Sequence, residues 1–515
     1  MSGIVNRVGF VLSIALCSVV AHALPAVAQV TPELRTPKAP QSPRINGPVI
    51  YGARPNHPFL YRIPCTGARP VRFSVNGLPK SLILDNQTGI ISGISPLRPG
   101  NYRLNLEATN KVGKTSHTFT IVISDTLGLT PQMGWNDWYT HYTHPTDGDI
   151  RAAADAMVHS GMADYGYQFI DIDDAWERKP QSGVPELMGP PRDQSGSILP
   201  NTRFPNMHAL TEYIHAYGLK AGIYSSPGPL TCAGFEGSYE HEESDAQQFA
   251  QWGFDLLKYD MCSYSKIPKD HSLPELQRPY IKMDNFLRTL DRDVVFNLCE
   301  YGWGDVWKWG RAVGGSSWRT TGDLGWAKGS SLPGFYFVGF VNAGLNAYAG
   351  PGGWNDPDYI LIGTVGDARR SALPPQPTSL TPAEQYSYMS MWSLMASPLF
   401  FSGDMSKLDA FTLNILDNSE VIDVDQDPLG KQARVIRHTP QELVLARPMK
   451  DGSMAIGLFN LSSDPRTVSL DWRDIGLSGK VRVRDVWRQK DLGTFDDRFT
   501  SLLSTHDVTL IRTKR

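Results

Sequence analysis

Two neighbouring stretches decide the fold: Asp255-Leu-Leu-Lys-Tyr-Asp260, and after one helical pattern Val294-Val-Phe-Asn-Leu-Cys299-Glu300. Each is a short, nearly continuous apolar run that ends in an acidic side chain, as a strand buried on both faces reads. The stretch between them carries helical spacing from about residue 275 to 290. Strand, helix, strand in that order is the unit of a parallel sheet. Upstream, a helix is expected over residues 242–252, closed by Gly253, and a strand over 219–224. Before these, Leu210, Tyr213, Ile214 and Tyr217 share one helical face that stops at Gly218, and a strand covers 167–173. With further strands at 133–138, 317–321, 347–350 and 397–402 the count reaches about eight over some three hundred residues, which is what a (β/α)₈ barrel needs. The alternative, a doubly wound open sheet, is disfavoured because the Gly-rich phosphate loop that often marks one is missing.

The chain has 515 residues, and single hydrophobic cores stop growing near ~250–300 residues, so modules flank the barrel. Arg7, an apolar run over residues 8–20 and Ala26-Val-Ala28 make up a secretory signal peptide over 1–28, too short to span a bilayer; no membrane insertion is expected after its removal. Residues 29–44 are dense in Pro and read as an extended linker. Over 45–126 alternation takes over, as in Tyr102, Leu104, Leu106, Ala108 and Phe119, Ile121, Ile123, with turns at Asn76-Gly77 and Thr88-Gly89. This predicts a small β-sandwich, and the segment resembles the immunoglobulin-like modules of bacterial exported proteins. The barrel occupies 127–430. Alternation returns over 431–515, an antiparallel C-terminal β-sandwich. A net charge of -3 without a basic stripe argues against a nucleic-acid partner. Once the signal is removed, four cysteines remain in no zinc-like spacing, and no metal or organic cofactor is called for.

Barrel enzymes carry their active sites at the C-terminal strand ends, and here those ends are crowded with polar groups. Asp171-Ile-Asp173-Asp174-Ala-Trp176 ends the second strand, Tyr224 the third, Lys258-Tyr-Asp260 the fourth and Glu300 the fifth. Arg319-Thr-Thr-Gly-Asp323 ends the sixth, and Gly352-Gly-Trp354-Asn-Asp356-Pro-Asp358 the seventh. Any one Asp there could merely cap the next helix; six successive ends so furnished point to a shared site. Aromatic faces stack on the apolar side of a pyranose while carboxylates accept from its hydroxyls. Glycoside hydrolysis requires two carboxyl groups, one to attack or to activate water and one to protonate the leaving oxygen.

The stretches Thr130-Pro-Gln-Met-Gly-Trp-Asn-Asp-Trp138, Ile170-Asp-Ile-Asp-Asp174, Gly222-Ile-Tyr224, Thr231-Cys-Ala-Gly234, Leu257-Lys-Tyr-Asp260, Cys299-Glu300, Trp318-Arg-Thr-Thr-Gly-Asp323 and Gly352-Gly-Trp-Asn-Asp-Pro-Asp358 resemble, in order, the α-galactosidase (melibiase) family, glycoside hydrolase family 27. The resemblance runs from about Leu127 through Asp425-Gln-Asp-Pro-Leu-Gly430 and, more weakly, to the C-terminus. It implies a retaining exo-α-galactosidase with Asp260 as nucleophile and Asp323 as acid/base, the two carboxyls ~5–5.5 Å apart. It further implies a sugar pocket of Trp138, Asp173, Asp174, Tyr224, Lys258, Glu300, Arg319 and Asp358, and a Cys232–Cys262 disulfide bracketing the site. Glu300 with the bulky Trp303 three positions on goes with galactose and against an N-acetyl group. The α-galactoside partner is an oligo- or polysaccharide, and the enzyme is secreted or periplasmic; the oligomeric state is not readable. Departures are Ala175 where many members have Cys, Cys299 without its usual partner and hence a buried free thiol, Tyr359 where better-known members have Met, and Ser225-Ser-Pro227 in place of an acidic stretch. Other readings are a β-L-arabinopyranosidase, an α-N-acetylgalactosaminidase or an isomalto-dextranase on the same scaffold, or a non-catalytic sugar-binding protein.

Overall fold

The computed structural model describes residues 32–514 except 271, 327–330 and 367–372; the signal peptide expected over 1–28 and linker residues 29–31 lie outside them. The centre is a ring of eight short parallel strands: β1 (Met133–Asn136), β2 (Phe169–Asp171), β3 (Lys220–Ser225), β4 (Leu256–Asp260), β5 (Val295–Cys299), β6 (Ser317–Arg319), β7 (Trp354–Asp356) and β8 (Leu399–Phe401). Their order is β7-β6-β5-β4-β3-β2-β1-β8, and a parallel bridge from Ile360 to Phe401 joins the two ends. In β4, Leu257 pairs with Ile223 on one side and Phe296 on the other, and all five residues are buried. That burial explains why the strand reads as a solid apolar run, and makes its Lys and Asp conspicuous.

Helices cover the ring as the apolar spacing predicts. Glu242–Trp252 stops at Gly253, whose φ of 100° only glycine adopts freely. Met207–Ala216 buries Leu210 and Ile214 and is started by the Asn206 side chain, which accepts from the Ala209 N–H. Leu273–Leu287 begins and ends slightly earlier than its spacing suggests.

The seventh strand is misplaced by the sequence reading. Residues 347–350 form no strand: 347–348 are turn and Gly350 makes only an isolated bridge to Gly353, and β7 starts only at Trp354, inside the stretch read as its outgoing loop. The cause is local: the Gly350 and Gly353 backbones bond each other at 2.9 Å and Gly352 has φ +81°, a tight turn that delays the chain's entry into the sheet. A three-residue strand is too short to show a period. Likewise β1 ends at Asn136, and Trp138 opens a short helix, Trp138–His141.

Before the barrel, the β-sandwich pairs a four-stranded sheet (Ile50–Ala53, Arg72–Asn76, Gly100–Thr109, Lys114–Ile123) with a three-stranded one (Pro58–Arg62, Leu82–Leu84, Ile90–Ile94). Leu104, Leu106, Ala108, Phe119, Ile121 and Ile123 all face its core, as their alternation requires. The module sits against the barrel's N-terminal face. Arg54 N–H (3.0 Å) and His57 Nδ1 (2.8 Å) meet Asp293 just before β5. Arg62 (3.4 Å) and Arg69 (2.5 Å) reach Asp164 before β2, and the Tyr51 hydroxyl meets the buried Lys220 at the start of β3. The proline-rich segment is extended but not a free spacer. Arg35 binds both Asp507 oxygens at 2.8 Å and lies over the Tyr386 ring at 4.3 Å, while Thr36 exchanges bonds with Asn414 and Asn418. Composition showed that it cannot form a core, not that its side chains would find partners.

After the barrel, six antiparallel strands and a two-stranded companion, Arg466–Asp471 with Arg498–Leu503, enclose Val444, Ile456, Trp472 and Phe499. Among the described residues no helix is long and apolar enough to cross a membrane.

Candidate active site

At the C-terminal ends of the strands a cavity of about 330 Å³ is lined by nine of the ten residues expected to bind or react, together with Tyr139, Cys232, Tyr301 and Tyr359. A larger hollow of about 520 Å³ lies in the seam with the N-terminal module, lined by Tyr51, Lys220 and Asp255. Volume alone therefore does not mark the site; converging carboxylates do.

The floor is an ion pair. Lys258, projecting from β4, meets Asp173 Oδ2 at 2.7 Å with both side chains buried. The same oxygen accepts from Asn136 Nδ2 at 2.9 Å and from the Tyr359 hydroxyl at 3.1 Å, and Oδ1 accepts from the Asp174 N–H at 2.9 Å. Burial opposes the Lys258 charge, but Asp173 and the other surrounding acids outweigh it and hold the ammonium well above its ordinary range. Its nitrogen lies over the rings of Tyr224 (5.3 Å) and Tyr359 (5.1 Å). Asp174 is built differently: Oδ2 accepts from the Ala233 N–H at 2.8 Å, while Oδ1 is buried without a partner. Buried polar atoms are rarely left unpaired, so this one calls for an explanation beyond the fold. Burial pushes this carboxyl up to about 7, so near neutrality it can accept or donate.

Asp260 ends β4 and is gripped at both oxygens. The Tyr224 hydroxyl donates to Oδ2 at 3.1 Å and the Tyr301 hydroxyl to Oδ1 at 2.6 Å. Burial raises its pKa to about 6, with Lys258 and the Tyr301 bond pulling the other way. Cys232 and Cys262 form the expected disulfide, with Cys232 in the cavity wall. Cys232, Asp260 and Cys262 cluster tightly enough to suggest a metal site, but sulfurs joined to each other are not thiolate ligands. Cys299 is a buried free thiol.

Across the cavity, Arg319 at the end of β6 bridges Asp323 (Nη1 to Oδ1, 3.2 Å) and Asp358 (Nη2 to Oδ2, 3.1 Å). The Asp323 side chain is 33% exposed and that of Asp358 1%, so Asp323 alone of the two can exchange protons readily with solvent. Asp358 is a fixed anchor: Oδ2 also accepts from the Leu324 N–H at 2.7 Å and the Tyr139 hydroxyl at 3.1 Å. Its φ is +87°, a conformation costly for any residue with a Cβ and typical of functional loops. Trp138 lines the rim, its N–H bonded to Asn136 Oδ1 at 2.9 Å.

Glu300 departs from expectation. It is fully buried and is not part of the cavity wall. Its Oε1 accepts from the Gly302 N–H at 3.2 Å, and burial raises its pKa well above the carboxylate range. The reason is in the backbone: past the end of β5 the chain turns at Tyr301, with φ 64°, which brings the Tyr301 ring rather than Glu300 to the cavity. Strand alternation cannot be extended past such a turn. Tyr301 and Tyr359, each adjacent to a residue singled out from the sequence, escape the sequence reading for this reason, Tyr359 standing out there only as a departure from the family's Met.

Residues 130–427 match the α-galactosidase A family, more than half of the chain. The chain belongs to the α-galactosidase A (melibiase) family. Residues 442–513 match the family's C-terminal β-sandwich domain and 42–124 an Ig domain. An α-galactosidase of Oryza sativa subsp. japonica is 37% identical over 388 residues, 74% of this chain and 84% of its own. A crystal structure of a candidate α-galactosidase/melibiase from Bacteroides fragilis superposes with TM-score 0.85 at 37% identity, covering 93% of this chain and 100% of that one. The α-galactosidase I of Mortierella vinacea gives TM-score 0.67 at 28% identity, over 76% and 98%. As a melibiase-family member the protein is a glycoside hydrolase.

Proposed function

We propose that this protein is a retaining exo-α-galactosidase in which Asp260 is the nucleophile and Asp323 the acid/base. The observation that carries the reading is the pairing of a buried carboxylate, held by two tyrosines beside a lysine, with a second, solvent-reachable carboxyl oriented by Arg319 across one small cavity. In the first step an Asp260 oxygen bonds the anomeric carbon from the β face while the bond to the leaving oxygen breaks, and Asp323 gives that oxygen its proton. In the second, Asp323 takes a proton from water, the water oxygen bonds the anomeric carbon, and Asp260 leaves as carboxylate. Two inversions give net retention.

A small cavity floored by the Lys258–Asp173 ion pair and walled by Trp138, Tyr224 and Tyr301 suits one terminal pyranose rather than a chain. The Asp174 carboxyl and the charged Lys258, both in the cavity lining, supply partners for the sugar hydroxyls at that floor. Where Glu300 was expected, the cavity wall is formed by Tyr301, with the Trp303 ring against it, and this bulk is the feature that favours galactose over an N-acetylated sugar. Export to the periplasm or beyond rests on the signal-like N-terminus and agrees with a disulfide, which persists in oxidising compartments.

The test is release of p-nitrophenol from the α-galactoside, α-N-acetylgalactosaminide, β-L-arabinopyranoside and α-glucoside by the wild type and Asp260→Asn. Turnover of the α-galactoside that vanishes in the variant is the expected result; turnover of another glycoside alone would replace the sugar, and full activity of Asp260→Asn would remove the nucleophile.

A further inference from the structure

Resting on that reading, we propose that Tyr301 is a catalytic residue of its own. Its phenol steadies Asp260 as a carboxylate in the free enzyme and draws it off the sugar when the galactosyl ester is hydrolysed. The geometry that points to this is the 2.6 Å bond from the Tyr301 hydroxyl to Asp260 Oδ1, the shorter of the two tyrosine contacts to that carboxylate. The ring is carried on a left-handed turn, and a second ring, Trp303, lies against it with centroids 5.7 Å apart, so its place is set by its neighbours and not by Asp260 alone.

The chemistry follows from where charge resides. Asp260 carries a full negative charge in the free enzyme, none as an ester, and a partial charge in both transition states, whichever oxygen bonds the carbon. A hydrogen bond to a charged acceptor is worth more than one to a neutral ester. Tyr301 therefore favours the carboxylate over the ester: it does little for the step that forms the ester and assists the step in which water displaces it. In that step the carbon–oxygen bond to Asp260 breaks, its electron pair returns to the carboxylate, and the phenol keeps its proton while its bond to that oxygen tightens. Asp260 also faces Lys258 on its own strand, Tyr224 on β3, Asp173 and Asp174 beyond β2, Cys299 on β5 and Asp323 beyond β6. Of these only Lys258 and Tyr224 join Tyr301 in favouring the charged form; the rest are acidic groups that oppose it.

Tyr301→Phe keeps the ring and removes the donor. With p-nitrophenyl α-galactoside, kcat should fall by about ten- to a hundredfold while kcat/KM changes far less, so that KM falls with kcat. Rapid mixing should show a burst of one p-nitrophenol per enzyme as the ester accumulates, and the acid limb of kcat/KM should move to higher pH. Installing 3-fluorotyrosine at 301, a stronger donor on the same ring, should move that limb down, and it serves as the test if the Phe variant does not fold. A loss of kcat/KM equal to that of kcat, with no burst and an unmoved acid limb, would overturn the proposal. Azide added to Asp260→Gly separates the two readings: restored p-nitrophenol release with formation of the β-galactosyl azide upholds the nucleophile whatever Tyr301 does. Absence of rescue removes Asp260, and the proposal with it.

Discussion

Asp260 must be ionised to attack, and its burial sets the pH at which that happens. With its pKa raised to about 6, kcat/KM should fall tenfold per unit below that pH, because protonation of the free enzyme removes the nucleophile. A pH–rate profile checks this; an acid limb near the ordinary carboxylate value, about 4, would show that the buried environment is not what tunes the group. Lys258→Met should raise the limb further, since the cation that favours ionisation is lost. It should also cost about 3–5 kcal/mol in denaturant unfolding, because Asp173 is left as an uncompensated buried charge. At this scale the sequence was informative wherever a polar residue interrupts a buried strand, as at Lys258 and Asp260. It was uninformative at and just past a left-handed turn: at Tyr301, whose ring stands in the cavity wall instead of Glu300, and after Asp358, where Tyr359 turns toward Asp173.

Elements were legible in proportion to their length. The helix Glu242–Trp252 and the strand Leu256–Asp260 fall where periodicity and Gly253 put them, whereas three-residue β7 hid behind its glycine turn. The disulfide joins the loop after β3 to the residues just after β4 across 30 positions, and Asp260 stands two residues before its second sulfur. Closing a loop of that length is worth roughly 3–4 kcal/mol on chain-entropy grounds. The double variant Cys232→Ser/Cys262→Ser should lose stability of that order and should raise KM, since the cavity wall at Cys232 is no longer tied to the nucleophile's strand. Calorimetry and steady-state kinetics check the two parts separately; an unchanged KM would mean that the wall holds its shape without the bridge.

Across the whole molecule, the N-terminal module is joined to the barrel at the end opposite the carboxylates. The contacts at Asp293, Asp164 and Lys220 lie just before or at strand starts, and the segment before the module is clamped to Asn414 of the barrel and to Asp507 of the C-terminal domain. Three modules were readable from composition and period; their attachment was not, because single charged residues such as Arg62 and Asp164 look like any solvated surface until they meet. Deleting residues 1–126 should lower the thermal midpoint and expose the seam around Lys220 and Asp255, and the intact chain should melt in one transition. Two separate transitions, or a deletion variant as stable as the full chain, would make the module an independent passenger.

Asp260 should form a covalent bond to galactose during turnover. Incubating the wild type with 5-fluoro-α-galactosyl fluoride and mapping the labelled peptide by mass spectrometry tests it most directly. One fluorogalactosyl group per chain, carried by Asp260, is the expected result; a label on another residue, or hydrolysis with no covalent species at any time, would rule Asp260 out as the nucleophile.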